Sequence, residues 1–422
     1  MHARNHTHAL LPSLSMALAM CLSIGGCSRE TTPVDAPVTS GATSGATDPE
    51  GAPSPQAESA FDRFLDADEN TPPLPPWPLE TAPGNWQQLS TQNVPLVANL
   101  VVATAVVQGG TDYESVKRID SVEDGQVSIS YAAKPKVEGQ EVSVRVRRIV
   151  RAADLASAHG YRMVYGLETR ESYPGMTALG VSAAVLEELQ SDGRSTLELH
   201  AAADLAGILL TVGGGLSSDL EGELVRVEPE PVAIPVMVNG ERRWLPAVHA
   251  SGQFDGLTRT GVTGEFWFLA DPSNPLTLRA QVDRTRMQVV RLDWPAHERS
   301  NALESELLRR GSVELWGIYF DTDSAALRAE SGATLRELAA LFERHPQWRF
   351  AIEGHTDSIG EEPANLALSK RRAEAVRADL IGRSKAFASR LEAQGFGEMR
   401  PRESNDSASG RARNRRVELR RL

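Results

Sequence analysis

Apolar and polar positions follow three different rhythms along this chain. Between residues 84 and 294 apolar residues recur at every second position, as in Val142-Ser143-Val144-Arg145-Val146, the period of a half-exposed strand. Asp124-Gly125 stands between the strand-like runs 117–122 and 126–131, and Asn239-Gly240 between 236–238 and 243–245. Both dipeptides suit two-residue hairpin turns, whose central positions need positive φ. Runs 265–269, 276–282 and 287–292, with a turn over 271–275, continue the meander. One helix interrupts it: Ser182 is placed to cap 183–190, and Gly193 lies just past the end. Region 84–300 is therefore expected to be β-rich, with one or two antiparallel sheets arranged as a sandwich or a barrel.

Beyond residue 296 the period changes. A helix is expected over 296–310, stopped by Gly311, then a strand over 313–320 and a helix over 325–344 with Leu327, Leu335, Leu338 and Leu341 on its buried face. A strand over 348–353 breaks at Gly354 into a polar loop. The next helix places Leu366, Ser369, Ala373 and Val376 on one face, with Pro363 in its first turn and Gly382 beyond its end. Strands over 391–396 and 417–419 complete the order βαβαββ. This predicts an α/β sandwich over 301–422, with helices on one face of a mixed sheet, in a chain whose class is α+β.

The third rhythm is the absence of one. From 27 to 83 the chain is Thr, Ser, Pro, Ala and Gly with scattered acids, including 39–47 and Pro72-Pro73-Leu74-Pro75-Pro76-Trp77-Pro78. Such a segment buries too little apolar surface to offset its ordering entropy, so a disordered tether is expected. As a coil it spans about 40 Å on average, and stretched it reaches about 180 Å. Ahead of it, Arg4 precedes an apolar run over 9–24 that ends in Leu22-Ser23-Ile24-Gly25-Gly26-Cys27. That arrangement reads as an export signal over 1–26, too short and too near the end for a membrane span. Its last residues resemble the bacterial lipobox. The resemblance implies cleavage before Cys27 and acylation of its thiol and new amino group by palmitate-type chains, at about 0.8 kcal/mol per buried methylene. Ser28 in the next position favours sorting to the outer membrane, with the folded domains facing the periplasm.

Composition narrows the chemistry. With 422 residues and 41% hydrophobic content the chain supports two or more domains. A net charge of -12 disfavours nucleic acid as a partner, because that binding depends on neutralising phosphates. The basic run Arg411, Arg413, Arg415 and Arg416 is accordingly read as a solvated strand. The two cysteines, Cys21 and Cys27, both precede the folded regions, which leaves those regions no disulfide and no thiolate metal site. Gly180-Val181-Ser182-Ala183-Ala184 lacks the second glycine of a nucleophile elbow, and Gly213-Gly214-Gly215 does not fit a phosphate loop. His159, His200, His249 and His297 have no ligand spacing. Trp244 and the aromatic run 266–268 are read as core rather than as a sugar platform. Glu353, His355 and Asp357 alternate at a strand end, but no second histidine sits at helical spacing, so no metal is expected. Neither a catalytic residue nor a cofactor is expected.

One pair of residues remains. A strand ending in the carboxylate of Asp357 and a helix carrying the guanidinium of Arg372 can converge on a small zwitterion, the arginine taking a carboxylate and the aspartate an ammonium. The surrounding residues are Gly354-His355-Thr356-Asp357, Asn365, Leu368-Ser369, Arg372-Ala373, Gln394-Gly395-Phe396-Gly397-Glu398 and Gly410-Arg411-Ala412-Arg413-Asn414-Arg415-Arg416-Val417-Glu418. These blocks in this order resemble the OmpA-like peptidoglycan-binding domain, over about the last quarter of the chain. The resemblance implies that Asp357 and Arg372 hold the diaminopimelate side chain of the wall's stem peptide without covalent chemistry, with Asn365 in support. The chain departs from the pattern near Asp323 and Ser324, where relatives often carry an amide or lysine. The expectation is a lipid-anchored protein that is not an enzyme and that ties the outer membrane to peptidoglycan. The alternative is an envelope enzyme, sensor or scaffold in which region 84–300 acts on or docks another envelope protein and the last domain only localises it.

Overall fold

Alternation of buried and exposed side chains runs along the strand Val144–Arg151, where Val144, Val146, Arg148 and Val150 point inward. The computed structural model describes residues 77–422 except 78, 90–93, 109–110, 135, 138–139, 142, 164, 166–168, 202–218, 257–259, 295–298 and 322–323. The export signal, Cys27, most of the tether, Gly213-Gly214-Gly215 and His297 lie outside the described residues. Among those described, no helix is long and apolar enough to cross a membrane.

The β-rich expectation for the middle region becomes one hydrogen-bonded sheet of 14 strands. Both predicted hairpins form. Asp124 and Gly125 sit at φ 50 and 70 between Thr111–Glu123 and Gln126–Ala133, and Asn239 and Gly240 sit at φ 47 and 89 between Val232–Val238 and Glu241–Asp255. The sheet is not purely antiparallel: Val232–Val238 also pairs in parallel with Thr285–Asp293. That contact closes a ring of five strands through Thr277–Val282, Val262–Leu269 and Glu241–Asp255. Leu245, Ala247, Leu269, Leu278 and Leu292 pack in its core. Ser182 caps the helix Ala183–Ser191 by accepting from the Val185 amide at 3.3 Å, as its spacing predicts. Trp244, Phe266 and Phe268 are core residues.

Packing begins upstream of the expected boundary at 84. The Trp77 ring lies 3.7 Å from the Arg279 guanidinium, Leu79 packs on the core, and Glu80 pairs with Arg242. These residues belong to the folded body because their large aromatic, apolar and charged groups meet partners on it.

The last domain is a four-stranded mixed sheet. Phe350–Gly354 lies in its interior, parallel to Leu391–Gly395 and antiparallel to Val417–Arg421, which in turn pairs with Ser312–Glu314. Helices Gly332–Arg344 and Glu362–Arg383 pack through Leu335, Leu338, Leu341, Ala373, Val376 and Leu380. Four details depart from expectation. The first strand stops at Glu314, because the chain turns at Trp316-Gly317, where Gly317 has φ +80. Residues 325–328 are not helical: Leu327 bridges back to Phe320, and Arg328 donates from Nε to Asp321 at 3.0 Å. Helix Glu362–Arg383 turns Asn365, Leu368 and Arg372 inward and leaves Leu366 41% exposed, and it runs through Gly382 to end at Arg383. The basic run is not a solvated strand. Ser407 accepts from the Gly410 amide and starts the short helix Ala408–Asn414, so a helix precedes the last strand.

The described residues form one compact unit. Where the middle sheet meets the last domain, Val101, Ala103, Ala105, Val116 and Val290 cover Tyr319 and Ala412. The Tyr319 hydroxyl donates to Asp293, and Trp316 lies against the Asn239-Gly240 turn so closely that a Cβ on Gly240 would fall 2.2 Å from its ring.

Candidate functional site

Gly354 ends the central strand where the long helix crosses it. A Cβ there would lie 2.1 Å from the Ser369 carbonyl oxygen, and one on Gly395 would lie 2.4 Å from the Lys370 amide, so glycine is what lets the helix rest on the sheet. The loop that follows is clamped on both sides. The His355 amide donates to the Arg416 carbonyl at 3.0 Å and the Thr356 amide to the Gly397 carbonyl at 2.9 Å. Asn365 then pins it from the helix, its Nδ2 donating to the carbonyls of Asp357 (3.3 Å) and Ile359 (3.1 Å) and to the Glu398 carboxylate (2.6 Å). In this arrangement Asn365 positions the loop.

Asp357 and Arg372 line one cavity of about 110 Å³, well above the roughly 10–15 Å³ that a single water needs. Asp357 Oδ1 accepts from the Ile359 amide at 3.2 Å, and Oδ2 accepts from Arg415 Nη1 at 2.6 Å. Arg372 Nε donates to the Ser324 carbonyl at 2.9 Å and Nη2 to that of Asp321 at 3.4 Å, with the guanidinium 5.1 Å from the Phe320 ring. Asp321 is itself held by Arg328 at 3.0 Å and Lys134 at 2.8 Å. Burial pushes the Asp321 carboxyl up, but those two cations outweigh it and keep it below its usual range. Arg372 thus lines the cavity beside an Asp321 whose charge two further cations already take, and Asp357 offers a carboxylate to the same cavity.

Three residues of the middle domain also line this cavity, Tyr113 among them, and the sequence reading missed all three. Glu114 and Arg291 face it from the strands Thr111–Glu123 and Thr285–Asp293. Glu114 accepts from Arg415 Nη2 at 3.0 Å, 301 positions away in the chain, and from Arg291 Nη2 at 3.4 Å. Burial pushes the Glu114 carboxyl up, but Arg291 and Arg415 reverse the shift and keep it ionised; Arg415 is likewise held in its charged form by Glu114 and Asp357. Arg415, read from sequence as part of a solvated run, is a member of the site.

Glu353, His355 and Asp357, from whose alternation no metal was expected, do not cluster; among the described residues Glu353 and His355 converge with Glu418 instead. Their carboxylates are taken by guanidiniums: Arg420 Nε on Glu353 at 2.6 Å, Arg416 Nε and Arg402 Nη2 on Glu418 at 2.7 and 3.0 Å. So many cations make this a poor seat for another one. Burial, reinforced by the Arg416 charge, pushes the His355 imidazole down to about 4. In the middle domain, His249 is satisfied by Glu228 (2.8 Å) and Glu265 (3.1 Å), and His200 lies 3.0 Å from an Arg162 nitrogen.

Residues 319–415 match the model of the OmpA family. The chain is 42% identical over 101 residues to outer membrane porin F of Pseudomonas aeruginosa, covering 24% of this chain and 29% of that protein. It is 38% identical over 100 residues to the peptidoglycan-associated lipoprotein of Agrobacterium fabrum, covering 24% of this chain and 56% of that one. Both matches span less than two thirds of the relative's own length. Among solved structures, the peptidoglycan-associated lipoprotein from Burkholderia pseudomallei is 33% identical, covering 27% of this chain and 92% of that one, with a TM-score of 0.24.

Proposed function

From the premise that residues 319–415 are an OmpA family domain, we propose that this chain binds peptidoglycan without covalent chemistry and ties the outer membrane to the wall. The carrying observation is that Asp357 and Arg372, opposite in charge and supplied by different elements, line one cavity. A diaminopimelate-type stem offers the complementary ends: its carboxylate goes to Arg372 and its ammonium to Asp357, while Asn365 keeps the loop in place. Two or three charge-assisted hydrogen bonds of about 1.5–3 kcal/mol each correspond to single-site dissociation constants in roughly the micromolar to millimolar range. Many identical stems and a membrane anchor turn weak single contacts into a lasting hold. The relatives' names, which include a peptidoglycan-associated lipoprotein, support this reading.

The full chain, extracted in detergent, should co-sediment with purified sacculi, and Asp357→Ala or Arg372→Ala should leave it in the supernatant. Undiminished co-sedimentation of both variants refutes the site. The anchor is proposed at Cys27, on the strength of Leu22-Ser23-Ile24-Gly25-Gly26 before it. Cys27→Ala should remove metabolic palmitate labelling and shift the protein from the membrane to the soluble periplasmic fraction; retention in the membrane would count against the anchor.

A further inference from the structure

The carboxylate assigned to the ligand's ammonium already has a cation on it. Arg415 donates one Nη to Asp357 at 2.6 Å and the other to Glu114 at 3.0 Å, so a single guanidinium is divided between two carboxylates from different domains. Glu114 has a second cation of its own, since Arg291 reaches its other oxygen at 3.4 Å. On this flank two carboxylates and two guanidiniums cancel. The remaining arginine here, Arg416, spends its Nε on Glu418. An ammonium arriving at Asp357 therefore enters a balanced set, which holds only while Glu114 keeps its share of Arg415. Without the Glu114 charge the flank turns cationic, and both ends of the Arg415 guanidinium are left to Asp357.

We infer that Glu114, on the middle domain, is a positioning residue for the wall-binding cavity: by holding one side of Arg415 it keeps the Asp357 carboxylate open to an incoming ammonium. The inference rests on the proposed wall-binding function and extends its site to a strand far outside the OmpA family match. It gives the middle domain a share in ligand selection, through charge rather than through contact with the ligand. Asp357 and Arg372 take the ligand's two ends, and Glu114 sets the state of the first of them.

The test is calorimetric titration of the full chain in detergent with two probes. One is a soluble muropeptide carrying a diaminopimelate stem with a free amine, and the other is the same muropeptide acetylated on that amine. Glu114→Gln keeps the side chain's shape and should weaken the free-amine probe about tenfold, the effect of roughly one charge-assisted hydrogen bond, while leaving the acetylated probe almost unmoved. In the double variant Glu114→Gln with Arg415→Gln no cation competes for Asp357, and free-amine affinity should return to at least the wild-type value. A damaged fold cannot produce that recovery. Equal weakening of both probes by Glu114→Gln, or no recovery in the double variant, overturns the inference. Asp357→Ala separates the two levels: if it binds the free-amine probe normally, the wall-binding reading itself fails. If it loses binding while Glu114→Gln does not, only the role given to Glu114 falls.

Discussion

His355 shows how much one buried side chain records about its surroundings. Its ring is 2% exposed and stacks on Phe396 at 5.4 Å, and burial with the Arg416 charge moves its titration from 6.5 to about 4. The folded chain keeps the imidazole neutral, whereas the unfolded chain protonates it below about pH 6.5. The unfolded state therefore binds more protons between those values, so the stability this group contributes is complete above pH 6.5 and drains away as pH falls toward 4. Urea midpoints should decline across that window, and His355→Gln should flatten the decline; an identical slope in both proteins would rule the assignment out. At this scale the sequence was informative where local pattern fixes a position. Asp357, Arg372 and Asn365 stand at a strand end and on a helix, and the structure sets the first two around one cavity with the third bracing the loop. Arg415 escaped because its meaning depends on Glu114, a carboxylate 301 positions upstream that no local pattern connects to it.

Among elements, the helix Glu362–Arg383 and the strand Phe350–Gly354 make the site by touching closely. The contact is backbone on backbone at Gly354, where an added methyl would lie 2.1 Å from the Ser369 carbonyl oxygen. Gly354→Ala should lift the helix, cost about 1–3 kcal/mol as overpacking does, and carry Arg372 away from Asp357. Denaturant unfolding and sacculus sedimentation should both register the change, and a variant normal in both would show that the close approach is not needed. Elements announced by period and caps, such as Ala183–Ser191 and the two hairpins, were legible. Those decided by tertiary contact were not. The helix-favouring residues Ala325, Ala326 and Leu327 are drawn out of helix by the bridge from Leu327 to Phe320 and the Arg328–Asp321 pair. Ser369, Ala373 and Val376 are buried as their spacing predicts, and only Leu366 was misplaced, because the buried stripe widens toward 365, 368 and 372 at this end of the helix instead of taking in 366.

For the molecule as a whole, the sequence separated a β-rich middle from an α/β end but held no sign of how the two would meet. Periodicity tells which face of a strand is apolar, not what will cover it. Here the cover for Val101, Ala103 and Ala105 is Tyr319 and Ala412. Around that apolar seam stand the pairs Lys134–Asp321 at 2.8 Å, Arg415–Glu114 at 3.0 Å and Arg242–Glu403 at 3.0 Å. Electrolyte acts on these two parts differently. Shortening the screening length from about 10 Å at 0.1 M to about 3 Å at 1 M weakens the rim, whereas sulfate, excluded from protein surfaces, tightens the greasy seam. Brines of equal ionic strength but different anions should therefore leave the two halves unequally fastened, with chloride the looser medium.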